Sequence, residues 1–141
     1  MMQNLIPKKE EEERRLKALA EYRILGTKPE SCYDDITKIA ASTCNVPISL
    51  MTLVDKDKQW FKSKVGLEIN ETKRDWSFCT HAIQENSPLI IQDAFQDERF
   101  INNPLVTGDP KIRFYAGFPL KNRDGNKLGT LCVIDRKPGN L

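Results

Sequence analysis

Four cysteines and one histidine are the side chains of this sequence best suited to metal or nucleophilic chemistry. Cys32, Cys44, Cys79 and Cys132 form no C-x-x-C pair and no short zinc-binding spacing, and His81 alone cannot supply the histidines of most catalytic zinc sites. We therefore expect no metal site, no disulfide scaffold and no metal-dependent hydrolysis. We expect Cys32, Cys79 and Cys132 to be buried as small hydrophobic side chains.

Length and composition indicate one ordinary globular domain over residues 1–141. The chain has 22 Lys and Arg against 20 Asp and Glu, 30% charged and 39% hydrophobic residues, which argues against a disordered chain and against nucleic-acid binding. Its longest apolar stretch, residues 47–54, is far shorter than the roughly 20 residues that span a bilayer. The N-terminus lacks the apolar region of a secretory signal, so we expect a cytoplasmic chain with no membrane partner.

Two amphipathic helices are predicted at the N-terminus. The first, about residues 8–25, has an apolar stripe formed by Leu16, Leu19, Ala20 and Ile24, and Gly26 is placed to end it. The second begins at the capping-box pattern of residues 27–30. Its predicted apolar face comprises Cys32, Ile36, Ile39, Ala40 and Thr43.

Residues 48–55 and 60–66 read as two strands joined by a polar turn. The first strand is apolar on both faces, which places it in the middle of a sheet that is covered on two sides. In the second strand, Lys62 and Lys64 are expected to point outward at alternate positions, a pattern typical of a strand at the edge of a sheet. Pairing Asp55 with Trp60 places on one face Ile48, Leu50, Thr52, Val54, Phe61, Ser63 and Val65.

Downstream, Ser77 is a candidate N-cap for a short helix over residues 78–84, and residues 89–93 form another strand. Residues 95–111 form a long irregular loop, a common place for ligand sites. Asp124-Gly125 predicts a type I′ hairpin that joins strands 114–120 and 127–135 and pairs Gly117 with Cys132. The gap beside that glycine could be filled by a helix side chain or left for a ligand.

Several runs of the sequence resemble a GAF domain, in particular the sensory GAF domains of bacterial histidine kinases and diguanylate cyclases. The similarity covers roughly residues 14–137. It is carried by Ser77-Phe78-Cys79-Thr80-His81-Ala82-Ile83, Asp93-Ala94, Asp97-Glu98-Arg99-Phe100, Asn103-Pro104, residues 112–120 and residues 128–135, with support from residues 22–30 and 59–63. The resemblance implies an α+β, profilin-like three-layer α/β/α fold, with a core over about residues 27–137. Its central antiparallel sheet would have five or six strands, with the five-strand order 2-1-5-4-3.

The resemblance also excludes some of the ligands that GAF domains are known to bind. The ligand itself stays unidentified, and so does any cofactor. The cyclic-nucleotide signature of some GAF domains is missing, because Phe95 and Asp97 are separated by one residue and no Asn-Lys pair precedes them. Thr80 separates Cys79 from His81, which argues against bilin attachment, and a haem on His81 is chemically possible but not favoured. The similarity implies a sensory module from a longer protein, one that controls a kinase or cyclase output domain and dimerises through flanking helices. A free-standing GAF protein is the alternative.

We expect a non-enzymatic module without catalytic residues that binds a small molecule between its sheet and the loop of residues 95–111. The candidate ligand-binding residues are Arg74, Phe78, Asp93, Arg99, Asn103, Arg113 and Tyr115. The structural alternative is that Asp93, Arg99 and Arg113 only tie the loop to the sheet. Other possibilities are a reductase of free methionine sulfoxide, using Cys79 and Cys132, and an empty dimerisation module.

Overall fold

The computed structural model describes residues 5–141, with side chains from residue 9 onward; residues 1–4 of the predicted domain span lie outside this range. The described residues form four α-helices and six strands. The helices are α1 (Leu5–Glu21), α2 (Ser31–Cys44), α3 (Phe78–Ala82) and α4 (Pro104–Thr107). The strands are β1 (Ile48–Val54), β2 (Lys58–Val65), β3 (Glu71–Lys73), β4 (Leu89–Ile91), β5 (Phe114–Lys121) and β6 (Lys127–Asp135).

The six strands form one antiparallel sheet in the order β3-β2-β1-β6-β5-β4. Without the short strand β3, this is the predicted five-strand order, so the predicted fold is confirmed. Helices α1 and α2 cover one face of the sheet, and α3, α4 and the loops around them cover the other. All seven residues of β1 are buried, as expected for a central strand that is covered on both sides.

The larger core lies on the α3 face of the sheet. Phe78 of α3 stacks on Phe100 with ring centroids 4.1 Å apart and lies 5.1 Å from the ring of Tyr115. Alternate residues of β1 and β6 complete this layer. Ser77 begins α3 by accepting a hydrogen bond from the Thr80 amide at 3.1 Å, which confirms the predicted N-cap.

The register between β1 and β2 differs from the prediction, because Leu53 rather than Asp55 pairs with Trp60. A bulge between Met51 and Thr52 then turns Ser63 toward α2, where its hydroxyl lies 2.8 Å from that of Thr37. The placement of Ser63 on the Phe61 face was therefore wrong: alternation along a strand fails where one residue is inserted.

Lys62 is buried rather than outward-facing. Its ammonium group binds Glu30 at 2.6 Å, the Thr27 hydroxyl at 2.7 Å and the Lys28 carbonyl oxygen at 2.6 Å. These contacts use the residues of the predicted capping box, so α2 begins only at Ser31 and Glu30 makes no cap hydrogen bond with its side chain. Strand β2 is also not an edge, since β3 pairs with it.

Helix α1 packs on its own sheet and ends at Glu21, earlier than predicted. Leu19 is 1% exposed and Ala18 is buried beside it, within the cluster formed with Leu53, Trp60 and Leu128. Ala20, placed on the apolar stripe by the sequence, is exposed, and Leu16 is half-buried. Arg15 is buried instead, because its guanidinium donates to the Val54 carbonyl oxygen at 2.6 Å.

Helix α2 buries a different face from the one its sequence predicts. Thr37 and Ala41 are buried, whereas Ile36 and Ile39 are 42% and 65% exposed. Cys32 and Thr43 are exposed as well, so the expectation of a buried Cys32 was wrong; Ala40 is half-buried. The Thr37 hydroxyl is satisfied by Asp34 and Ser63, so this polar residue can occupy the packed face.

The β5–β6 hairpin has the predicted strand pairing, with Gly117 opposite Cys132 and Tyr115 opposite Ile134. Its turn is longer than a two-residue type I′ turn. Gly125 has a φ of +82° but Asp124 has no positive φ, and the Asn122 side chain accepts hydrogen bonds from two turn amides. The polar turn still fixes the register on both sides.

Candidate functional site

A small apolar cavity lies on the α3 face of the sheet. It extends from the segment between β2 and β3, where Ile69 is 45% exposed, to the sulfur atoms of Cys79 and Cys132. Its free volume is about 20 Å³, room for roughly one water-sized molecule. The remaining lining residues are Leu50, Gln59, Phe61, Leu67, Thr72, Phe78, Leu105, Pro110, Ile112, Tyr115 and Ile134.

The deep end of the cavity combines two thiols with hydroxyl groups. The Tyr115 hydroxyl donates to Cys79 Sγ at 3.2 Å, and the Thr130 hydroxyl donates to the same sulfur at 3.0 Å. Gly117 permits this arrangement, since a Cβ atom there would lie 2.1 Å from the Tyr115 hydroxyl oxygen. The gap predicted opposite Cys132 is therefore filled by a tyrosine of the same strand.

This environment shifts the pKa values of the two thiols in opposite directions. Burial by itself would raise the pKa of Cys79, but hydrogen bonds from Cys132, Thr130, Thr52 and Tyr115 outweigh it and lower the pKa to about 6. The hydrogen bond with Cys79, together with burial, holds the pKa of Cys132 well above its ordinary value. Cys79 is thus the more acidic of two neighbouring buried thiols.

A buried polar network forms one wall of the cavity. Gln59 donates to the Thr72 hydroxyl at 2.8 Å and accepts a hydrogen bond from the Ser77 hydroxyl at 2.8 Å. Among the described residues, no buried side-chain nitrogen or oxygen lacks a hydrogen-bond partner. The network therefore fixes β3 and the start of α3 against β2 without leaving a polar atom for a ligand.

The structure brings together only two of the seven predicted ligand-binding residues. Phe78 and Tyr115 line the cavity. Asn103 binds the Trp76 carbonyl oxygen at 3.0 Å, and Arg99 is paired with Asp97 on the surface.

The other predicted residues also make contacts within the protein. Asp93 accepts a hydrogen bond from the Phe95 amide at 3.0 Å. Arg113 donates to the Val106 carbonyl oxygen at 2.9 Å, with its guanidinium 3.6 Å from the centre of the Phe95 ring. Arg113 thus holds the loop of residues 95–111 beside the start of β5, as the structural alternative proposed for it. Asp93 only caps the short turn that follows it, and Arg99 binds within the loop rather than to the sheet. A ligand role for these residues stays a prediction.

Arg74 links the cavity wall to helix α1. It lies in the 3-10 turn Arg74–Trp76 that joins β3 to α3, and its guanidinium donates to Glu12 at 2.6 Å and to the Asp55 carbonyl oxygen at 3.2 Å. Glu12 also accepts two hydrogen bonds of 2.9 Å from Arg15. We call Glu12, Arg15 and Arg74 the α1 clasp.

Glu12 is strongly acidic within this clasp. Burial would raise the pKa of its carboxyl group, but hydrogen bonds from Arg15 and Arg74 outweigh that effect and lower the pKa to about 2. No sequence pattern indicated this contact, because Glu12 lies within a charge run typical of a solvated helix face. Thr130 and Gln59 were also missed; only the three-dimensional fold places them near Cys79 and Ser77.

Comparisons with known proteins agree with this fold. A family model described as GAF domain matches residues 28–140. A cyclic di-GMP phosphodiesterase of Pseudomonas aeruginosa is 40% identical over 132 residues, which is 94% of this chain and 22% of the relative. The chain therefore spans less than a quarter of the length of that curated relative.

Solved structures show the same architecture at low sequence identity. The GAF domain of an Acinetobacter phosphoenolpyruvate-protein phosphotransferase has a TM-score of 0.60 and 17% identity, over 92% of this chain and 79% of that one. A type II free methionine-R-sulfoxide reductase from Thermoplasma acidophilum has a TM-score of 0.64 and 13% identity, over 87% and 81%. These similarities concern the fold. Among residues 5–141, none of the helices combines the length and the apolar character that a membrane-spanning segment requires.

Proposed function

This chain belongs to the GAF domain family, and on that premise we propose that it is a non-enzymatic regulatory module. In this proposal, a small apolar molecule enters the cavity on the α3 face, and its presence changes how α1 is held against the sheet. The observation that supports the proposal is the α1 clasp, because Arg74 lies in the turn between the cavity-lining residues Thr72 and Phe78 and binds Glu12 of α1.

The cavity suits a molecule with little polarity. Its lining is dominated by aliphatic and aromatic side chains, and the polar groups beside it already bind one another. Its present volume of about 20 Å³ means that an occupant larger than water must displace Leu67 and Ile69 at the mouth. That displacement would disturb the bonds from Lys64 to the carbonyl oxygens of Glu68 and Ile69, so occupancy changes the structure.

The route from the cavity to α1 is short. Thr72 of β3 and Phe78 of α3 both line the cavity, and Arg74 lies in the turn between them. The Arg74 carbonyl oxygen also accepts hydrogen bonds from the Ser77 amide and the Thr80 hydroxyl. A shift of α3 would therefore move Arg74 relative to Glu12 and loosen or tighten the hold on α1.

For the output domain we propose an enzyme of bacterial second-messenger or phosphotransfer signalling. The resemblance suggested a histidine kinase or a diguanylate cyclase. The 40% identical relative is a cyclic di-GMP phosphodiesterase, which adds hydrolysis of that nucleotide as a candidate activity of an attached domain. Homodimerisation of the whole protein belongs to the same proposal.

Binding can be tested with benzene and indole as probes, by saturation-transfer NMR, alongside native mass spectrometry for a molecule that co-purifies. Ile69→Trp should block the mouth and abolish the signal. Ile90→Trp is the matched control, since Ile90 is equally exposed at 45% and does not line the cavity. Equal probe binding by both variants would contradict the cavity assignment, and no binding to the wild type would favour an empty dimerisation module.

The reductase alternative requires free methionine sulfoxide to bind in the same cavity. Free methionine sulfoxide is a zwitterion, and the apolar lining of the cavity, whose polar groups already bind one another, offers no partner for its ammonium and carboxylate groups. We therefore expect no reduction of free methionine sulfoxide by the wild-type chain in the presence of a thiol reductant. Turnover that is lost in both Cys79→Ala and Cys132→Ala would overturn the regulatory proposal.

A further inference from the structure

The two buried thiols of this domain meet in space although 53 positions separate them in sequence, from 79 to 132. Cys79 lies on α3, and Cys132 lies on β6 directly opposite Gly117. The Tyr115 hydroxyl covers Gly117 and reaches Cys79 Sγ at 3.2 Å. The thiols of Cys79 and Cys132 are close enough to form a hydrogen bond with each other. Both thiols line the same cavity.

The surroundings of the two sulfur atoms are unequal. Cys79 Sγ accepts hydrogen bonds from Thr130 and Tyr115, and the Thr130 hydroxyl is itself 3.1 Å from that of Thr52. Hydroxyl donors stabilise a thiolate, which agrees with the lowered pKa of Cys79 and the raised pKa of Cys132. One thiol is therefore prepared to attack while its neighbour keeps its proton.

Access to the pair is limited by size. The cavity leads from the surface near Ile69 to the two sulfur atoms, and its free volume of about 20 Å³ admits a molecule of roughly the size of water. Hydrogen peroxide meets that limit in the cavity as it stands, whereas an organic hydroperoxide with a bulky substituent must first displace Leu67 and Ile69.

We propose that Cys79 and Cys132 form a site of reversible oxidation by hydrogen peroxide. The Cys79 thiolate attacks one peroxide oxygen: an S–O bond forms, the O–O bond breaks, and the departing hydroxide takes up the proton that Cys79 released, giving water. The Cys132 sulfur then attacks the Cys79 sulfenic acid: an S–S bond forms, the S–O bond breaks, and hydroxide leaves with the Cys132 proton as a second water. Two thiols are oxidised and one peroxide is reduced.

This inference goes beyond the regulatory proposal and does not depend on it. It requires no other ligand, no output domain and no particular oligomeric state. A disulfide between α3 and β6 would fix the helix that begins just after Arg74, so the oxidation would act on the same wall of the cavity.

The test uses the 141-residue chain with Cys32→Ser and Cys44→Ser, which removes the exposed and half-exposed thiols and leaves the buried pair. The protein is treated with hydrogen peroxide or cumene hydroperoxide, alkylated, and analysed by peptide mass spectrometry, with circular dichroism to show that it stays folded. With hydrogen peroxide we expect loss of both alkylatable thiols, a linked peptide containing Cys79 and Cys132, and recovery with dithiothreitol. With cumene hydroperoxide, which must first displace Leu67 and Ile69, we expect much slower loss of both thiols.

Two further variants test the assigned order of attack. In Cys132→Ala, dimedone should trap a sulfenic acid on Cys79, whereas in Cys79→Ala the Cys132 thiol should stay unmodified. The proposal is overturned if the folded chain keeps both thiols in hydrogen peroxide. It is also overturned if Cys132 is oxidised equally well without Cys79, or if both peroxides react alike.

Discussion

Gly117 shows how one missing side chain shapes the cavity. The Tyr115 ring lies over it, fully buried, and its hydroxyl is directed at Cys79. The sequence predicted the pairing of Gly117 with Cys132, because the Asp124-Gly125 turn anchors the register on both strands. It could not predict the occupant of the gap, since both a helix side chain and a ligand satisfied the same pattern.

We expect Gly117→Ala to destabilise the domain by about 1–3 kcal/mol, because a Cβ at this position would lie 2.1 Å from the hydroxyl oxygen of the buried Tyr115 ring, which would have to shift. Gly139→Ala is the control. A Cβ atom there makes ordinary contacts of 3.5 Å or more with Phe114, so the stability should change by less than about 0.5 kcal/mol. Urea denaturation of both variants measures the difference; equal stabilities would show that Tyr115 does not need the glycine.

Cys132→Ala tests the packing role of the thiol. Cys132 is completely buried between Leu50 and Gly117 in the sheet, so its removal should lower the free energy of unfolding by about 1–2 kcal/mol. Cys32→Ala, on the exposed surface of α2, should leave it unchanged within error. If Cys132→Ala left the free energy of unfolding unchanged, the residues around β6 would have to relax into the space that the thiol leaves.

Among the secondary-structure elements, the two N-terminal helices show that apolar spacing predicts the presence of a helix but not always the face that it buries. Both helices were predicted from apolar spacing, and both exist. The buried face of α2 was assigned wrongly, because Ile36 and Ile39 repeat with helical spacing as well as Thr37 and Ala41 do. Which face is buried depends on hydrogen-bond partners such as Ser63, and a β-bulge places that residue.

Helix α1 packs on its own sheet, although the family resemblance implied that flanking helices form a dimer. Because Leu19 is 1% exposed among Leu53, Trp60 and Leu128, Leu19→Glu should cost roughly 3 kcal/mol or more in stability. Half-buried Leu16 should tolerate the same change far better. Thermal denaturation and sedimentation equilibrium distinguish packing on the sheet from packing against a partner. If the wild type is a dimer and Leu19→Glu is a folded monomer, Leu19 lies at an interface instead.

The α1 clasp should respond to acid in a defined range. The pKa of Glu12 is lowered from 4.5 to about 2 in the folded chain, so the carboxylate contributes stability above pH 4.5, and this contribution disappears progressively as the pH falls toward 2. The stability difference between wild type and Glu12→Gln should therefore be constant near neutrality and shrink below pH 4.5. Glu13→Gln, at an exposed neighbouring position, is the control for the loss of one carboxylate from this helix outside the clasp.

At the scale of the whole molecule, the fold was more predictable than the site. The order of the sheet came from the family resemblance, and the central position of β1 came from its apolar character on both faces. For the site, polar residue types suggested ligand contacts, yet Arg99, Asn103 and Arg113 all have partners within the protein. Sequence patterns identify residues capable of polar contacts but not the atoms that satisfy them.

We propose that the cavity on the α3 face is coupled to helix α1 through the α1 clasp. The most direct measurement is a heteronuclear NMR titration of the chain with indole, comparing the wild type with Arg74→Gln. We predict saturable shifts at Cys79 and Tyr115 and also at Glu12 and Arg15 in the wild type, with the second group lost in the variant. Shifts that stop at the cavity wall in the wild type, or that reach Glu12 equally without the Arg74 guanidinium, would contradict the account.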